Sequence, residues 1–478
     1  MASSTAGMML SLDTRILPVN ASDMGQFADR GTLETWTLPK NPAALDPLRV
    51  AAKHIRTTSI PVGFPTETVY GLGADATRSD AVKGIYKAKG RPSDNPLIIH
   101  VCDLTMLRNL ILPSGQVNGN ITHRDPIPAV YKPLIERFWP GPLTILLPNP
   151  KPSRLAPEVT AGLPTFGARI PDSPLALSLI HLAGVPLAAP SANASTKPSP
   201  TTAEHVFYDL KGRIEIILDG GPCQVGVEST VVDGLCDPPV VLRPGGVSID
   251  EIRKCEGWTT VVKGYKDQSE VGAAAPRAPG MKYKHYSPKA KVVLYEAGSQ
   301  KDTTSGIPLE VWRVIEAKDQ RLSHLGYESL GRPAIIGIVS TKNWCNWAGF
   351  HNAKWSRKDR PKNICTKVVN VQPLETTNSY KIQQGELWQG NPLKENLPHE
   401  QDEIPDSWDL PEKERVADLI EISLGKETKD IAHGLFSALR ELDLRGADVI
   451  YVEGIADEGD IAAAVMNRLR KAATVIEK

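Results

Sequence analysis

The chain has 478 residues, of which 41% are hydrophobic and 23% are charged, and its 55 Lys and Arg residues equal its 55 Asp and Glu residues in number. A chain of this length predicts two or three domains rather than a single core. Because the positive and negative residues balance, the protein as a whole has no positive electrostatic field that would attract nucleic acid. Binding of nucleic acid would therefore need a local cluster of basic residues. No apolar run approaches the ~20 residues of a membrane helix, so we expect no membrane partner.

The N-terminus and the cysteines predict a cytoplasmic protein. The first ten residues lack the basic flank of a secretory signal. Arg15 and Arg30 leave a mitochondrial fraction open, although Asp13 and Asp23 argue against it. The six cysteines are scattered and form no C-x-x-C pair. This usage fits a reducing compartment and indicates neither a zinc ribbon nor a redox dithiol.

A first α/β domain is predicted over residues 47–255, after a polar N-terminal extension over 1–46. The spacing of Leu48, Val50, Ala51 and Ile55 predicts a helix, and Asp80 is the expected N-cap of a second helix. Strands are predicted at 60–69, 97–101, 143–147, 166–170, 185–189, 214–218, 229–233 and 240–243. Several connections between them are short, which favours a mixed sheet.

A connector over 256–290 leads to a smaller α/β domain over 291–478. The connector is basic and turn-rich, and no acidic residue lies between Val271 and Leu294. The smaller domain is predicted to contain strands at 291–295, 334–339 and 447–452, a helix around Leu435 and a helix over 460–472. Residues 342–415 are polar and turn-rich, which is typical of an insertion or a disordered loop.

Two neighbouring segments have the composition of a polyphosphate site. Residues 63–73 form an apolar run that ends in hydroxyls and glycines, and residues 89–97 place Lys89, Arg91 and Asn95 in a proline-bounded loop. Glycines allow close approach of the backbone, and fixed cations bind phosphate. The chain has no G-x-x-x-x-G-K-[ST] loop, and the G-x-G at 71–73 precedes a loop rather than a dinucleotide-binding helix. A solvated basic pair and a turn amide are the structural alternatives.

Polar residues also follow several predicted strands, where α/β sheets place ligands. Residues 190–195 read Pro-Ser-Ala-Asn-Ala-Ser after one strand, and His100 and Arg169 end two others. A buried Arg169 needs a partner, which a carboxylate ligand or an internal salt bridge would supply equally well. For residues 190–195 the structural alternative is an ordinary Ser/Asn turn, and for His100 it is a histidine at the edge of a strand. No nucleophile–base pair or metal-spaced histidine pair stands out, which favours chemistry by positioning and charge stabilisation, as in transfer at phosphorus.

Six motifs carry a family resemblance across nearly all of residues 60–250. They are Phe64–Gly73 (FPTETVYGLG), Lys89–Arg91 (KGR), Trp139–Thr144 (WPGPLT), Ala189–Asn193 (APSAN), Gly226–Thr230 (GVEST) and Leu242–Gly245 (LRPG). With them the chain resembles the threonylcarbamoyl-AMP synthases of the YrdC-like class in their two-domain form. Residues 278–288 resemble the linker of that form, and residues 464–472 resemble its C-terminal domain. The implied fold is a YrdC-like α/β catalytic domain with a twisted mixed sheet, plus a smaller Rossmann-like α/β C-terminal domain.

The resemblance implies a nucleotidyltransferase that converts L-threonine, bicarbonate and ATP into threonylcarbamoyl-AMP and pyrophosphate. A partner complex, a tRNA threonylcarbamoyl transferase, would then modify the adenosine beside the anticodon. Mg²⁺ is implied with ATP, and no residue is expected to form a dedicated metal site. The connector would act as a lid that excludes water.

The resemblance also implies roles for individual residues. Lys89 and Arg91 would neutralise developing charge during catalysis. The implied threonine site consists of Thr68, His100, Arg169, Ala189 and Ser229. The implied ATP site consists of Arg91, Asn95, Thr165, Ser191, Asn193, Ser199, Arg243 and Tyr283, the last of which lies in the connector.

Two other functions stay open at this point. Enzymes that form carbamoyl-adenylate in hydrogenase maturation resemble the first domain but carry paired-cysteine zinc fingers, which this chain lacks. A module with weak RNA binding is the alternative without catalysis, since local basic patches such as 277–291 remain despite the balanced total charge.

Overall fold

The structure is a computed structural model, and it describes residues 11–20, 24–29, 31–40, 43–112, 125–265, 286–298, 333–344, 346–350, 354–357, 360–376, 380–390, 414–459 and 461–477. The chain divides by its internal packing into two units. The first contains Met1–Ser287 and Asp457–Ala472, and the second contains Pro288–Ala456 and Ala473–Lys478. The domain boundaries drawn from the sequence stay predictions.

The first unit is built on an eleven-stranded mixed sheet in the order β1-β10-β4-β5-β9-β6-β8-β7-β11-β12-β13. A separate hairpin pairs β2 with β3. The strands are β1 (Arg15–Pro18), β2 (Gln26–Phe27), β3 (Trp36–Thr37), β4 (Val62–Phe64), β5 (Gly71–Asp75), β6 (Ile98–His100), β7 (Leu143–Pro148), β8 (Thr165–Arg169), β9 (Leu187–Ala188), β10 (Ile216–Asp219), β11 (Thr230–Asp233), β12 (Val240–Arg243) and β13 (Val262–Lys263). The predicted mixed sheet is confirmed, since β6 pairs with β8 in parallel and with β9 in antiparallel orientation.

Helices pack around this sheet. They are α1 (Asp46–Thr57), α2 (Ser79–Lys89), α3 (Leu104–Ile111), α4 (Lys132–Phe138), α5 (Pro157–Thr160), α6 (Pro174–Ala183), α7 (Ala203–Leu210) and α8 (Ile249–Arg253). In α1, Leu48, Ala51 and Ile55 of the predicted apolar set are buried, as expected for positions three and four residues apart, whereas Val50 falls on the other face and is exposed. The N-cap of α2 is Arg78, so the prediction of Asp80 as N-cap is wrong. Asp80 lies in the first turn, where its negative charge interacts favourably with the positive end of the helix dipole.

The predicted strand over 60–69 is shorter in the structure, and the difference shapes the site. β4 ends at Phe64, and Pro65 follows without a backbone N–H to continue a ladder. The hydroxyl of Thr66 then donates to the carbonyl of Val69 at 2.7 Å, which closes a local turn. The polar residues of this segment therefore lie in a loop beyond the sheet edge.

The second unit contains an eight-stranded sheet in the order β16-β17-β18-β19-β15-β20-β14-β21. Its strands are β14 (Lys291–Tyr295), β15 (Ala334–Ser340), β16 (Lys354–Arg357), β17 (Arg360–Thr376), β18 (Lys381–Gly390), β19 (Glu414–Ser423), β20 (Val449–Glu453) and β21 (Val475–Glu477). The five strands from β19 to β21 in this order are parallel, as predicted for a Rossmann-like unit. Helix α9 (Thr428–Leu444) buries the predicted face around Leu435.

The interpretation of residues 342–415 as a turn-rich or disordered insertion is wrong for its described part. This part forms β16, β17 and β18, which extend the parallel sheet in antiparallel order from β19. Val368 and Leu387 belong to the buried core of the sheet. Strand pairing with an existing edge, which composition does not report, supplies the backbone partners that this polar segment needs.

The last helix, α10 (Ala462–Ala472), belongs to the first unit although it lies between β20 and β21 in sequence. Among the described residues, no helix combines the length and the apolar character needed to cross a lipid bilayer.

Candidate active site

A pocket of about 750 Å³ opens where several strands of the eleven-stranded sheet end. His100 ends β6 and Arg169 ends β8, and the two are register partners in neighbouring parallel strands. Ten predicted site residues line the pocket: Thr68, Lys89, Arg91, His100, Arg169, Ala189, Ser191, Asn193, Ser229 and Arg243. The structure therefore brings together residues that the sequence placed at the ends of separate strands and in the loop that contains Lys89 and Arg91.

Four other predicted residues are not among the residues that line this pocket. Thr165 lines a second, smaller cavity of about 280 Å³. Ser199 is fully buried and donates to Glu228 Oε1 at 2.5 Å, so it reaches the pocket only through that carboxylate. Asn95 is buried, and neither its side-chain nitrogen nor its side-chain oxygen has a hydrogen-bond partner among the described residues. Tyr283 lies outside the described residues.

Arg169 is held by three side chains at the end of β8. Its Nε donates to His100 Nε2 at 3.1 Å. Its Nη2 donates to Thr68 Oγ1 at 3.1 Å and lies 3.2 Å from Glu67 Oε2, in a buried ion pair. The internal salt bridge is therefore present. It does not use the whole guanidinium, since Nη1 makes no hydrogen bond to the described residues and Arg169 faces the pocket.

Burial dominates the electrostatics of this cluster. It lowers the pKa of His100 well below its usual value, and the charge of Arg169 acts in the same direction, so the imidazole is neutral. Burial also raises the pKa of the Glu67 carboxyl, an effect that Arg169 partly offsets. The result is a guanidinium with a neutral histidine beside it, an arrangement suited to binding a further carboxylate.

Lys89 ends α2 and reaches across to the segment that follows β9. Its Nζ donates to the backbone carbonyls of Ser191 at 2.5 Å and Asn193 at 2.6 Å. The backbone carbonyl of Lys89 accepts from the amide of Ser195 at 2.9 Å. Lys89 is 3% exposed. It therefore brings a positive charge to the pocket wall and also orders residues 191–195.

Arg243 also lines the pocket. Its Nη2 donates to the carbonyl of Ser229 at 2.8 Å and to the hydroxyl of Ser229 at 3.1 Å. The same hydroxyl lies 2.8 Å from Thr144 Oγ1. Burial lowers the pKa of Arg243 to about 10, so it stays protonated at neutral pH. Arg243 and Ser229 thus form one rigid unit at the rim of the pocket.

The sequence did not single out four residues that shape the site. Glu228 and Tyr286 line the pocket, Glu67 pairs with Arg169, and Arg468 of α10 pairs with Glu228. All four lie inside segments that carried the family resemblance. Their position inside these motifs was the signal by which the sequence could have identified them as site residues. Which charges would meet depended on the tertiary structure.

One group of described residues has the composition of a metal site. Cys102, Asp103 and His181 place ligand atoms within 4.8 Å of one another, and none of them lines the pocket. Asp103 caps α3 by accepting from the amide of Met106 at 2.7 Å, and it also accepts from Cys102 Sγ at 3.4 Å. These hydrogen bonds already use the carboxylate, so the group fits a helix cap better than a metal site.

Comparisons with known proteins agree over both parts of the chain. A family model described as "Telomere recombination" (Sua5, YciO and YrdC) matches residues 56–245. A second model, described as "Threonylcarbamoyl-AMP synthase, C-terminal domain", matches residues 247–474. The chain is 42% identical over 443 residues to threonylcarbamoyl-AMP synthase of Schizosaccharomyces pombe, covering 90% of this chain and 88% of the relative.

Other relatives extend this likeness. The synthase of Bacillus subtilis is 39% identical, with 88% of this chain and 92% of the relative covered. Among solved structures, P. abyssi Sua5 complexed with L-threonine matches with a TM-score of 0.60 and 33% identity, covering 97% of this chain and 99% of that one.

Proposed function

This chain belongs to the threonylcarbamoyl-AMP synthase family, whose members are enzymes of the nucleotidyltransferase type, and we propose that it makes threonylcarbamoyl-AMP and pyrophosphate from L-threonine, bicarbonate and ATP. The observation that carries the proposal is one pocket lined by Arg169, Lys89 and Arg243. Such a pocket can seat a carboxylate and a triphosphate next to each other, which the reaction requires.

The threonine half of the pocket is the cluster around Arg169. Nη1 of Arg169 would bind the threonine carboxylate, while Thr68 and His100 hold the guanidinium in place. Ala189 and Ser229 would form the walls around the side chain. The Sua5 of P. abyssi has been solved with L-threonine, which supports this assignment for a related protein.

The nucleotide half is the wall that carries Lys89, Arg91, Ser191, Asn193 and Arg243. These cations and hydroxyl groups would hold the triphosphate. Among the described residues that line the pocket, Glu228 alone carries a carboxylate, and it is already bound by Arg468 and Ser199. Mg²⁺ would therefore arrive with ATP and neutralise its phosphates, instead of occupying a site made by carboxylates of the protein.

The chemistry balances with these three substrates. The threonine amine attacks the carbon of bicarbonate with loss of water, or that of carbon dioxide with loss of a proton, and the resulting carbamate carries a new C–N bond and a negative oxygen. That oxygen attacks the α-phosphorus of ATP, and the bond to the β-phosphate oxygen breaks to release pyrophosphate. Lys89 and Arg91 would stabilise the charge that develops on the phosphates.

The product would be passed to a tRNA threonylcarbamoyl transferase complex for modification beside the anticodon. We place this work in the cytoplasm. The four described cysteines, Cys102, Cys223, Cys236 and Cys255, are free thiols, as expected in a reducing compartment.

The test is detection of the product itself. Purified protein with L-threonine, ¹³C-bicarbonate and ATP should release pyrophosphate and yield an adenylate whose mass carries the label. Omission of threonine should stop both signals. Pyrophosphate release that does not depend on threonine, or a labelled adenylate without a threonine moiety, would contradict the proposal and favour carbamoyl-adenylate chemistry.

A further inference from the structure

Helix α10 contributes a buried arginine beneath the pocket, 240 positions in sequence from its partner. Arg468 Nε donates to Glu228 Oε2 at 2.9 Å, and Arg468 Nη2 lies 2.9 Å from the same oxygen. Arg468 is 1% exposed. A charge buried to this degree is normally paired, and Glu228 supplies the pair while also lining the pocket.

The same guanidinium holds a second segment of the pocket wall. Arg468 Nη1 donates to the carbonyl of Pro244 at 2.5 Å. Pro244 follows Arg243, and Glu228 precedes Ser229, so one arginine contacts both chain segments that supply this wall. The segments approach closely, because a Cβ on Gly245 would lie 2.2 Å from the amide nitrogen of Thr230.

The charges around Glu228 favour its ionised form. Burial alone would raise its pKa, but Arg468, Arg243 and the Ser199 hydroxyl outweigh burial and lower the pKa to about 2. Tyr286 also faces the carboxylate, and the Arg468 guanidinium carbon lies 5.8 Å from the centre of its ring. Tyr265 faces Arg468. Among these neighbours, Arg468 is the largest favourable influence on the Glu228 charge.

We propose that Arg468 is a positioning residue of the active site, which clamps Glu228 and Pro244 and thereby fixes Ser229 and Arg243 at the geometry needed for the transfer reaction. This inference rests on the proposed function. In this proposal, helix α10 contributes to catalysis by positioning the pocket wall, without touching the substrate. It also explains why a helix between two strands of the second unit packs with the first.

The experiment compares full-length variants. Arg468→Met removes the charge and keeps much of the volume, and Arg468→Lys keeps the charge but loses the fork that spans two partners. Glu228→Gln removes the carboxylate charge. The matched control is Arg470→Ala, on the same helix, since Arg470 pairs with Asp457 at 2.7 Å and does not line the pocket.

Turnover and KM should separate a positioning role from a merely structural one. We expect Arg468→Met to lower kcat about 100-fold with soluble, folded protein, because a small displacement of the pocket wall misplaces the reacting groups. Arg468→Lys should recover part of this loss, and Arg470→Ala should match the wild type. Equal kcat in Arg468→Met and Arg470→Ala would overturn the proposal.

The pH profile is a second readout. Without Arg468, burial of Glu228 should raise its pKa, so kcat/KM of Arg468→Met should gain an acid limb within about pH 5 to 8 that the wild type lacks. The double variant Glu228→Gln, Arg468→Met has no carboxylate at position 228, so it should lack the limb that comes from Glu228, while any contribution of Glu67 stays common to all variants. An identical limb in both variants would contradict the proposal.

Hydrogen exchange tests the clamp without relying on activity. The amides of Thr230 and Gly246 should exchange faster in Arg468→Met than in Arg470→Ala, since Arg468 holds the segments on which they lie. If Arg468→Met fails to fold, the same comparison with Arg468→Lys decides the matter. Protection equal to the control would overturn the clamp. A wild type inactive with threonine would instead overturn the proposed function.

Discussion

His100 Nε2 accepts a hydrogen bond from Arg169 Nε at 3.1 Å, so the imidazole nitrogen that faces the arginine carries no proton. An arginine has only donors to offer, and a protonated imidazole in this place would put two cations in contact. Burial and the Arg169 charge both lower the pKa of His100. The neutral tautomer with its proton on Nδ1 follows from this geometry.

This relationship predicts the titration of His100. The ring should stay neutral at pH values where a free histidine, with its pKa of about 6.5, becomes protonated. The stability that this residue contributes is therefore present above about pH 6.5 and is lost as the pH falls through the lower pKa of the folded state. Nitrogen-15 NMR of labelled histidine, assigned with His100→Gln, measures both tautomer and pKa. A ring that titrates at or above 6.5 would refute the assignment.

The buried pair of Arg169 and Glu67 predicts an effect on both activity and stability. Arg169→Met should abolish threonine-dependent pyrophosphate release, and it should cost about 3–5 kcal/mol of unfolding free energy because it leaves a buried carboxylate unpaired. The double variant with Glu67→Gln should regain most of that stability but no activity. Denaturant unfolding and pyrophosphate assays measure the two effects. Full activity in Arg169→Met would remove this residue from the threonine site.

Lys89 is predicted to act in two ways, through its positive charge in the pocket and by holding residues 191–195 in place. Because its ammonium group binds the carbonyls of Ser191 and Asn193, Lys89→Met should lower turnover about 100-fold and speed amide exchange at Ser195. Lys87→Met is the matched control, since Lys87 lies on the same helix with its side chain exposed. Turnover of Lys89→Met equal to that of the control would leave the lysine without a catalytic role.

Asn95 is predicted to destabilise the unliganded protein and to contribute to nucleotide binding. Within the part of the chain that the structure describes, neither polar atom of its buried amide has a hydrogen-bond partner, which costs free energy in the unliganded protein. Asn95→Leu should therefore stabilise that form by about 1 kcal/mol. The same variant should raise the KM for ATP and leave the KM for threonine unchanged. Thermal unfolding and substrate titrations test this, with the exposed Asn109→Leu as the control for KM. An unchanged KM for ATP would exclude Asn95 from the ATP site.

Part of the candidate pocket could be predicted from the sequence. Ten candidate residues line one pocket, and most of them lie at or next to the ends of strands, which meet at common edges in a mixed α/β sheet, whereas Lys89 and Arg91 lie at or just beyond the end of helix α2. The sequence was a poorer guide to contacts between residues that lie far apart along the chain. Thr165 lies in a second cavity, and the described part of residues 342–415 forms strands that pair with the edge of the parallel sheet. Neither hydropathy nor turn composition contains that information.

The sequence by itself determined the family, the two sheets and most of the pocket residues, since motifs and apolar periodicity act over a few neighbouring positions. The tertiary structure decided which charges meet. Arg169 shares its guanidinium with Glu67, and Arg468 reaches Glu228 from a helix near the end of the chain. A charge can be buried only where a partner is within a few ångströms, and only the folded chain brings such partners together.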